Sequence, residues 1–223
     1  RGDIILTTDA GVWLAPDWVA ALVHPFEQED QERTDLETLQ EALQHVAPTQ
    51  IARLQAVWQV EPLQVAAGFF RSDPQGPFET ALGATTLPDL DDIEPHTFLP
   101  SSRSLAFRKS AWEAAGGYPE WLDYCEDLIF DFRLREVVSR EQWAFVPDAV
   151  AYFRPRPTPK GFFRQYFRYA RGDGKADLWR KRHAIRYIAY LLFLPAMLLL
   201  GWRGKRWSWV MLLGGAAAYC HAP

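Results

Sequence analysis

The feature that most constrains this chain is a long apolar run close to its C-terminal end. Tyr187–Trp202 contains no charge, the basic turn Arg203–Arg206 follows, and Trp207–Tyr219 is apolar again. A membrane helix needs about 20 apolar residues. The first run reaches that length when it is extended to Ala184, because Arg186 can place its charged end at the membrane surface. The pattern predicts two membrane helices joined by a basic turn, and a pair of buried or interfacial helices is the alternative.

Charge is unevenly distributed along the chain. Fourteen Lys and Arg lie between Tyr152 and Arg206, against only Asp173 and Asp177, although the net charge of the whole chain is -4. A basic stretch that leads into an apolar span favours an anionic membrane surface or a phosphate-bearing ligand. It argues against a nucleic-acid binder, since no nucleic-acid-binding motif accompanies it. The two cysteines, Cys125 and Cys220, lie too far apart for a zinc motif, and reduced cytosolic thiols are expected.

The N-terminal segment predicts a strand that ends in a carboxylate. Ile4–Leu6 is an apolar run that leads into Thr7, Thr8 and Asp9, and a helix is predicted to begin near Trp18. Ligands of open α/β sheets bind outside the carboxyl ends of strands. Asp9 is therefore a candidate for binding a divalent cation or a ribose hydroxyl, and a turn-capping role is the alternative.

The rest of the chain alternates between helical and strand patterns, which predicts an α/β fold. The predicted elements are two amphipathic helices within Glu27–Glu61, a strand at Val65–Phe70, a mostly irregular segment at 72–100 with a short helix near Phe78–Leu82, a strand at Ser104–Phe107, helices at Lys109–Ala115 and Glu126–Val138, strands at Trp143–Val146 and Val150–Phe153, and a partly helical basic segment at Pro159–Trp179.

Two further segments carry candidate functional residues. Glu126 and Asp127 open a predicted helix, where carboxylates are favoured by the helix dipole, and Asp127 could also serve as a general base. Gln165, Arg168 and Tyr169 lie in the basic aromatic segment, where arginine can bind phosphate with two parallel hydrogen bonds. The alternative for this segment is an amphipathic helix on the membrane surface.

In order along the chain, these segments resemble the family 2 glycosyltransferases of the GT-A fold. The resemblance covers about residues 3–175. It rests on the strand, turn and proline of Ile4–Trp18, on Ser104–Arg108 followed by Gly116-Gly117-Tyr118, on Glu126-Asp127-Leu128, and on the Gln-x-x-Arg-aromatic pattern of Gln165–Tyr169. Gly11 departs from the pattern, because the family carries there the second aspartate of Asp-x-Asp, its usual metal ligand.

The resemblance implies a partial GT-A catalytic domain over residues 1–180, with a helical insertion at 27–61, followed by a truncated, membrane-associated helical hairpin at 181–223. The family's nucleotide-binding first half would precede residue 1, so we expect this chain alone to be inactive.

The implied activity is inverting transfer of a sugar from a nucleotide-sugar to an acceptor hydroxyl, in the synthesis of cell-envelope polysaccharide or glycolipid. The implied partners are the donor, a sugar, lipid-linked or polysaccharide acceptor and the membrane, with the catalytic part on the cytoplasmic face and no nucleic acid. The implied roles are Asp127 as catalytic base, Asp9, Gln165 and Arg168 in donor binding, Trp121, Tyr124 and Glu126 in acceptor binding, and Asp9 with a divalent cation, Mg²⁺ or Mn²⁺. A glycoside hydrolase and a membrane-bound, non-catalytic interaction module remain as alternatives.

Overall fold

The computed structural model describes residues 2–43, 61–95 and 97–221. The chain divides into two compact units, Arg1–Gly172 and Asp173–Pro223. The first unit has mixed α/β structure built on one sheet, and the second is helical. The α/β class predicted from the sequence is therefore confirmed.

A mixed sheet of five strands organises the first unit. The strands are β1 (Ile4–Thr7), β2 (Val12–Leu14), β3 (Val65–Ser72), β4 (Leu105–Arg108) and β5 (Trp143–Phe153), and they lie in the order β1-β4-β3-β5-β2. Among the described strands, the β3–β5 pair is parallel and the other three pairs are antiparallel. The antiparallel β1–β4 pair brings the end of β1 next to the start of β4.

Alternation along the strands gives the sheet two buried faces. Ala66 and Ala106 pack against Trp18, Leu22 and Phe26 of α1 (Trp18–Leu43) on one face. Their sequence neighbours, which include Val65 and Phe107, pack against Phe130 and Leu134 of α4 (Glu126–Val137) on the other face. Successive side chains of a strand point to opposite faces, so these small and large residues sort into two hydrophobic layers.

Three further helices and two short 3₁₀ helices, Leu90–Asp92 and Arg140–Gln142, are also described. Helix α2 is Pro77–Thr86, helix α3 is Lys109–Ala114, and helix α5 is Pro159–Lys175. Gly116 and Gly117 end α3 with φ of 73° and 65°. These left-handed conformations suit glycine, and they confirm the predicted helix termination.

The second unit contains α6 (Arg180–Tyr187), a π-helical segment (Ile188–Phe193), α7 (Leu194–Trp202) and α8 (Arg206–His221). The first three are continuous. Within the described residues, Arg180–Trp202 is the one helix long and apolar enough to cross a membrane, with 23 residues and a mean hydropathy of 1.8. Helix α8 has 16 residues, fewer than the roughly 20 that a span requires. The structure thus provides one candidate span where the sequence predicted two.

Several predicted elements need correction. One continuous helix, α1, replaces the separate helices predicted near Trp18 and after Glu27, and it contains Pro25. The second amphipathic helix predicted before Glu61 lies outside the described residues. The strands predicted at Trp143–Val146 and Val150–Phe153 are a single strand whose register shifts opposite Gly68 and Phe69. Strand β2 was not predicted, since three residues are too few for a visible alternation.

Candidate functional site

A polar cleft of about 400 Å³ lies in the first unit. The loop after β1, the loop before β4, the start of α4 and one face of α5 contribute to it. Its lining residues are Asp9, Ser102, Arg103, Asp123, Tyr124, Cys125, Glu126, Asp127, Arg156, Gly161, Arg164, Gln165, Arg168 and Tyr169. We call Asp123, Glu126 and Asp127 the acidic wall, and Arg156, Arg164 and Arg168 the arginine wall.

An ion pair joins the two loops at the end of the sheet. Thr7 of β1 pairs with Leu105 of β4, so Asp9 and Arg103 each lie two residues beyond the same end of the antiparallel ladder. Arg103 Nε is 3.2 Å from Asp9 Oδ2. The sheet register itself therefore places a carboxylate and a guanidinium side by side in the cleft.

The backbone before α4 places the acidic wall. Cys125 caps this helix in the left-handed conformation, with φ of 65°, which is uncommon for a residue other than glycine. Glu126 and Asp127 then occupy the first helical turn, where the helix dipole favours negative charge. The Leu128 backbone N–H donates to Asp127 Oδ1 over 2.9 Å, which holds this carboxylate in one orientation.

Two members of the acidic wall, Glu126 and Asp127, are partly shielded from water. Burial raises the pKa of Asp127; the Leu128 N–H and Arg103 oppose this rise, while Asp9 reinforces it. Burial likewise raises the pKa of Glu126, and nearby Asp127 adds to the effect. Carboxylates whose pKa is raised by desolvation are candidates for proton transfer, because they hold a proton more readily at neutral pH than exposed ones.

A second carboxyl lies one helical turn beyond Asp127. Asp131 is fully buried, and neither of its oxygens has a hydrogen-bond partner among the described residues. Burial raises the pKa of Asp131 well above its usual range; Asp127 adds to this rise, and Arg135 opposes it. Asp131 is not a lining residue of the cleft, so its effect on the site is indirect.

Helix α5 lines the cleft at a helical spacing. Gly161, Arg164, Gln165, Arg168 and Tyr169 recur at intervals of one, three or four residues, so they share one face of the helix. On this face Gln165 Nε2 donates to Tyr169 Oη over 2.7 Å, while Arg156 Nε donates to Gln165 Oε1 over 3.1 Å. Gln165 therefore positions its neighbours and belongs to the same polar network.

Close backbone packing fixes α5 against the acidic wall. A Cβ at Gly172 would lie 2.7 Å from the Tyr124 carbonyl oxygen and 2.8 Å from Cys125 Sγ. The Cys125 thiol also donates to the Tyr169 carbonyl over 3.5 Å. Arg168 adds a further contact, with its guanidinium carbon 5.5 Å from the centroid of the Tyr124 ring. The Arg171-Gly172-Asp173 tripeptide thus contains a glycine that its close packing requires.

The structure brings most of the predicted site residues together. Asp9, Tyr124, Glu126, Asp127, Gln165 and Arg168 all line the cleft. Trp121 does not line it, and this residue is 56% exposed in the loop before α4. The acceptor contact of Trp121 stays a prediction.

Sequence reasoning missed three arginines of the cleft. Arg103 has no local signal in the sequence, because it is the antiparallel pairing of β1 with β4 that sets it beside Asp9. Arg164 lies four residues before Arg168 on the same helical face, so the helical spacing identifies it. Arg156 precedes α5 in an irregular segment, and no periodic pattern marked it.

The residues around Asp9 do not form a resident metal site. Gly11 supplies no carboxylate, and Asp9 already pairs with Arg103. Among the described residues, no group of three or more His, Cys, Asp or Glu is arranged to hold a metal ion. Asp9 alone therefore does not provide the donor set of a resident divalent cation.

Comparisons of this chain with protein-family models, with curated proteins and with solved structures give no match.

Proposed function

We propose that this protein transfers a sugar from a nucleotide-sugar donor to an acceptor hydroxyl, with inversion, through a GT-A domain of the family 2 type. The observation that carries this proposal is the composition of the cleft. It combines a desolvated, oriented carboxylate, Asp127, with four arginines in about 400 Å³. Such a site suits a reaction between a neutral hydroxyl and a substrate that carries a charged phosphate.

Asp127 is the general base in this proposal. Its carboxylate accepts the proton of the acceptor hydroxyl while the hydroxyl oxygen forms a bond to the anomeric carbon. The bond from that carbon to the diphosphate oxygen breaks at the same time, and its electron pair leaves with the nucleoside diphosphate. Attack from the face opposite the leaving group inverts the anomeric centre.

The arginine wall binds the leaving diphosphate. Guanidinium groups match phosphate oxygens with paired hydrogen bonds, and they stabilise the negative charge that grows as the sugar–oxygen bond breaks. Gln165 orients Arg156 through their 3.1 Å hydrogen bond. Tyr124 and Glu126, next to Asp127, are placed to contact the acceptor.

We further propose that the enzyme acts at a membrane, on its cytoplasmic face, with a cell-envelope or lipid-linked acceptor. The Arg180–Trp202 helix is long and apolar enough to span a bilayer. The basic residues that precede it complement anionic lipid headgroups.

The test measures nucleoside diphosphate release. Membranes that contain the full-length gene product are assayed with a panel of nucleotide-sugars, and wild type is compared with Asp127→Asn. Loss of the general base should reduce turnover on the order of a hundredfold or more. Glu120→Gln is the matched control, because Glu120 is exposed in the same loop and does not line the cleft.

Three outcomes separate the alternatives. Donor-dependent release that Asp127→Asn abolishes and Glu120→Gln preserves supports the transferase. Hydrolysis of a simple glycoside without any nucleotide product favours a glycoside hydrolase. If no donor is consumed, or if Asp127→Asn releases nucleoside diphosphate as fast as wild type, the catalytic role of Asp127 is wrong. The membrane-bound interaction module is then favoured.

A further inference from the structure

The loop after β1, which lies beside Arg103, does not have the two carboxylates of an Asp-x-Asp metal site. Asp9 is followed by Ala10 and Gly11, so the loop after β1 offers a single carboxylate. That carboxylate contacts a permanent cation, since Arg103 Nε is 3.2 Å from Asp9 Oδ2. Arg103 thus supplies one permanent positive charge at this place, where a divalent ion would supply two.

The Arg103 side chain is held in place from several directions. Its guanidinium carbon lies 4.7 Å from the ring centroid of Phe153 and 5.7 Å from that of Phe70. Arg103 Nη1 also donates to Ser101 Oγ over 3.1 Å. Only 22% of the side chain is exposed. A guanidinium fixed in this way loses little conformational entropy when it binds an anion.

Arg103 also lies within electrostatic reach of the proposed base. Both residues line the cleft, and Arg103 lowers the pKa of Asp127 against the effect of burial. A diphosphate that contacts Arg103 would therefore lie close to the carboxylate that receives the acceptor proton. An in-line displacement further requires the anomeric carbon to lie between this diphosphate and the hydroxyl that Asp127 deprotonates.

We propose that Arg103, in place of a divalent cation, neutralises the donor diphosphate during sugar transfer, and that Asp9 holds Arg103 in position until the diphosphate replaces it. This inference rests on the proposed function and adds to it a metal-independent site for a diphosphate. Arg103 has three properties of a fixed ion: a permanent charge, a single oriented position and access to the cleft.

Binding of inorganic pyrophosphate tests the site without reference to the sugar or the base. Calorimetry on the full-length protein in detergent, with EDTA present, compares wild type with Arg103→Met and Arg103→Lys. Wild type should bind pyrophosphate under these conditions. Arg103→Met should weaken binding about tenfold or more, because one charge-assisted contact is lost, and Arg103→Lys should bind with intermediate affinity. Arg71→Met is the matched control, since Arg71 also lies over a phenylalanine ring but not in the cleft.

Asp9→Asn gives a test in which the two explanations predict opposite signs. If Asp9 competes with the diphosphate for Arg103, removal of its charge should strengthen pyrophosphate binding in EDTA by a few-fold, on the order of one exposed ion pair. If Asp9 is a metal ligand, wild type should bind pyrophosphate only when Mg²⁺ is added, and Asp9→Asn should abolish that gain. The second result overturns the proposal, as does pyrophosphate binding by Arg103→Met equal to that of wild type.

Turnover distinguishes failure of this inference from failure of the proposed function. Nucleoside diphosphate release that depends on Asp127 and persists in EDTA agrees with both. Release that depends on Asp127 but stops in EDTA and returns with Mg²⁺ supports the proposed transferase activity. It contradicts the proposal that Arg103 takes the place of a divalent cation. In Arg103→Met, the acidic limb of the pH–rate profile should move to higher pH, because Asp127 loses the cation that lowers its pKa.

Discussion

The acidic wall and the arginine wall line one cleft, but they are built in different ways. Glu126 and Asp127 are half-buried, begin a helix after a left-handed cysteine, and have a raised pKa. The three arginines are exposed, and two of them are carried by an ordinary helical face. The contrast indicates different roles: the acidic wall accepts a proton, whereas the arginine wall attracts an anion from solution.

The largest effect is expected where the arginine wall is removed. Arg164→Gln combined with Arg168→Gln should weaken pyrophosphate binding on the order of a hundredfold, since two charge-assisted contacts are lost. The free energy of unfolding should change little, because both side chains are exposed. Titration calorimetry and urea unfolding in detergent measure the two quantities.

Arg171→Gln is the control for the arginine wall, because Arg171 lies on the same helix, is exposed and does not line the cleft. Equal weakening by Arg171→Gln would mean that general positive charge, rather than the wall, attracts the anion. The contrast between the two walls would then lose its functional meaning.

The next effect concerns Asp131, the buried carboxyl one helical turn beyond Asp127. The unfolded chain releases the Asp131 proton above pH about 4, whereas the folded protein keeps it until its raised pKa is reached. Wild-type stability should therefore fall over that pH window as pH rises, by about 1.4 kcal/mol per pH unit. Asp131→Asn has no such proton, so the free energy of unfolding of this variant should rise relative to that of wild type as pH increases through the same window.

Urea unfolding at a series of pH values measures this difference. Asp148→Asn is the control, because Asp148 is exposed, and its effect should stay within about 0.5 kcal/mol at every pH. A difference between Asp131→Asn and wild type that is constant with pH would show that Asp131 titrates normally in the folded protein.

The same contrast explains what the sequence could and could not predict. Helical spacing and motif order identified Asp127, Gln165 and Arg168, because these residues lie on regular elements or directly at a helix start. Arg103 depends on the antiparallel pairing of β1 with β4, which joins residues about a hundred positions apart. Such long-range register has no local signal in a single sequence.

The fold shows the same limit. Strands β3 and β4 and helix α4 were predicted, because each has a clear apolar pattern. The continuity of α1 through Pro25 was not predicted, since proline usually interrupts a helix. In this chain Leu22 and Phe26, on either side of that proline, are fully buried against the sheet, and this packing favours the helix over its local propensity.

Helix α5 packs closely against the residues before α4 at Gly172. Gly172→Ala would drive a methyl group into the Tyr124 carbonyl and Cys125 Sγ. It should lower the free energy of unfolding by about 1–3 kcal/mol. Gly174→Ala is two residues away on the same helix, where a Cβ meets nothing within 4 Å, and it should raise stability by up to about 1 kcal/mol. Effects of the same sign in urea unfolding would contradict this account of Gly172.

The smallest effect is expected at Tyr124, which joins the two walls. Tyr124 belongs to the loop that carries the acidic wall, yet its ring centroid is 5.5 Å from the guanidinium carbon of Arg168. Tyr124→Leu removes a cation–π contact worth about 0.5–1 kcal/mol at an exposed site. Pyrophosphate binding should weaken about two- to fivefold, because Arg168 loses the ring that orients it. Tyr124→Phe keeps the ring and should bind pyrophosphate as wild type does. If Leu and Phe weaken binding equally, the Tyr124 hydroxyl rather than its ring supports the arginine wall, and the two walls are coupled by hydrogen bonding instead of stacking.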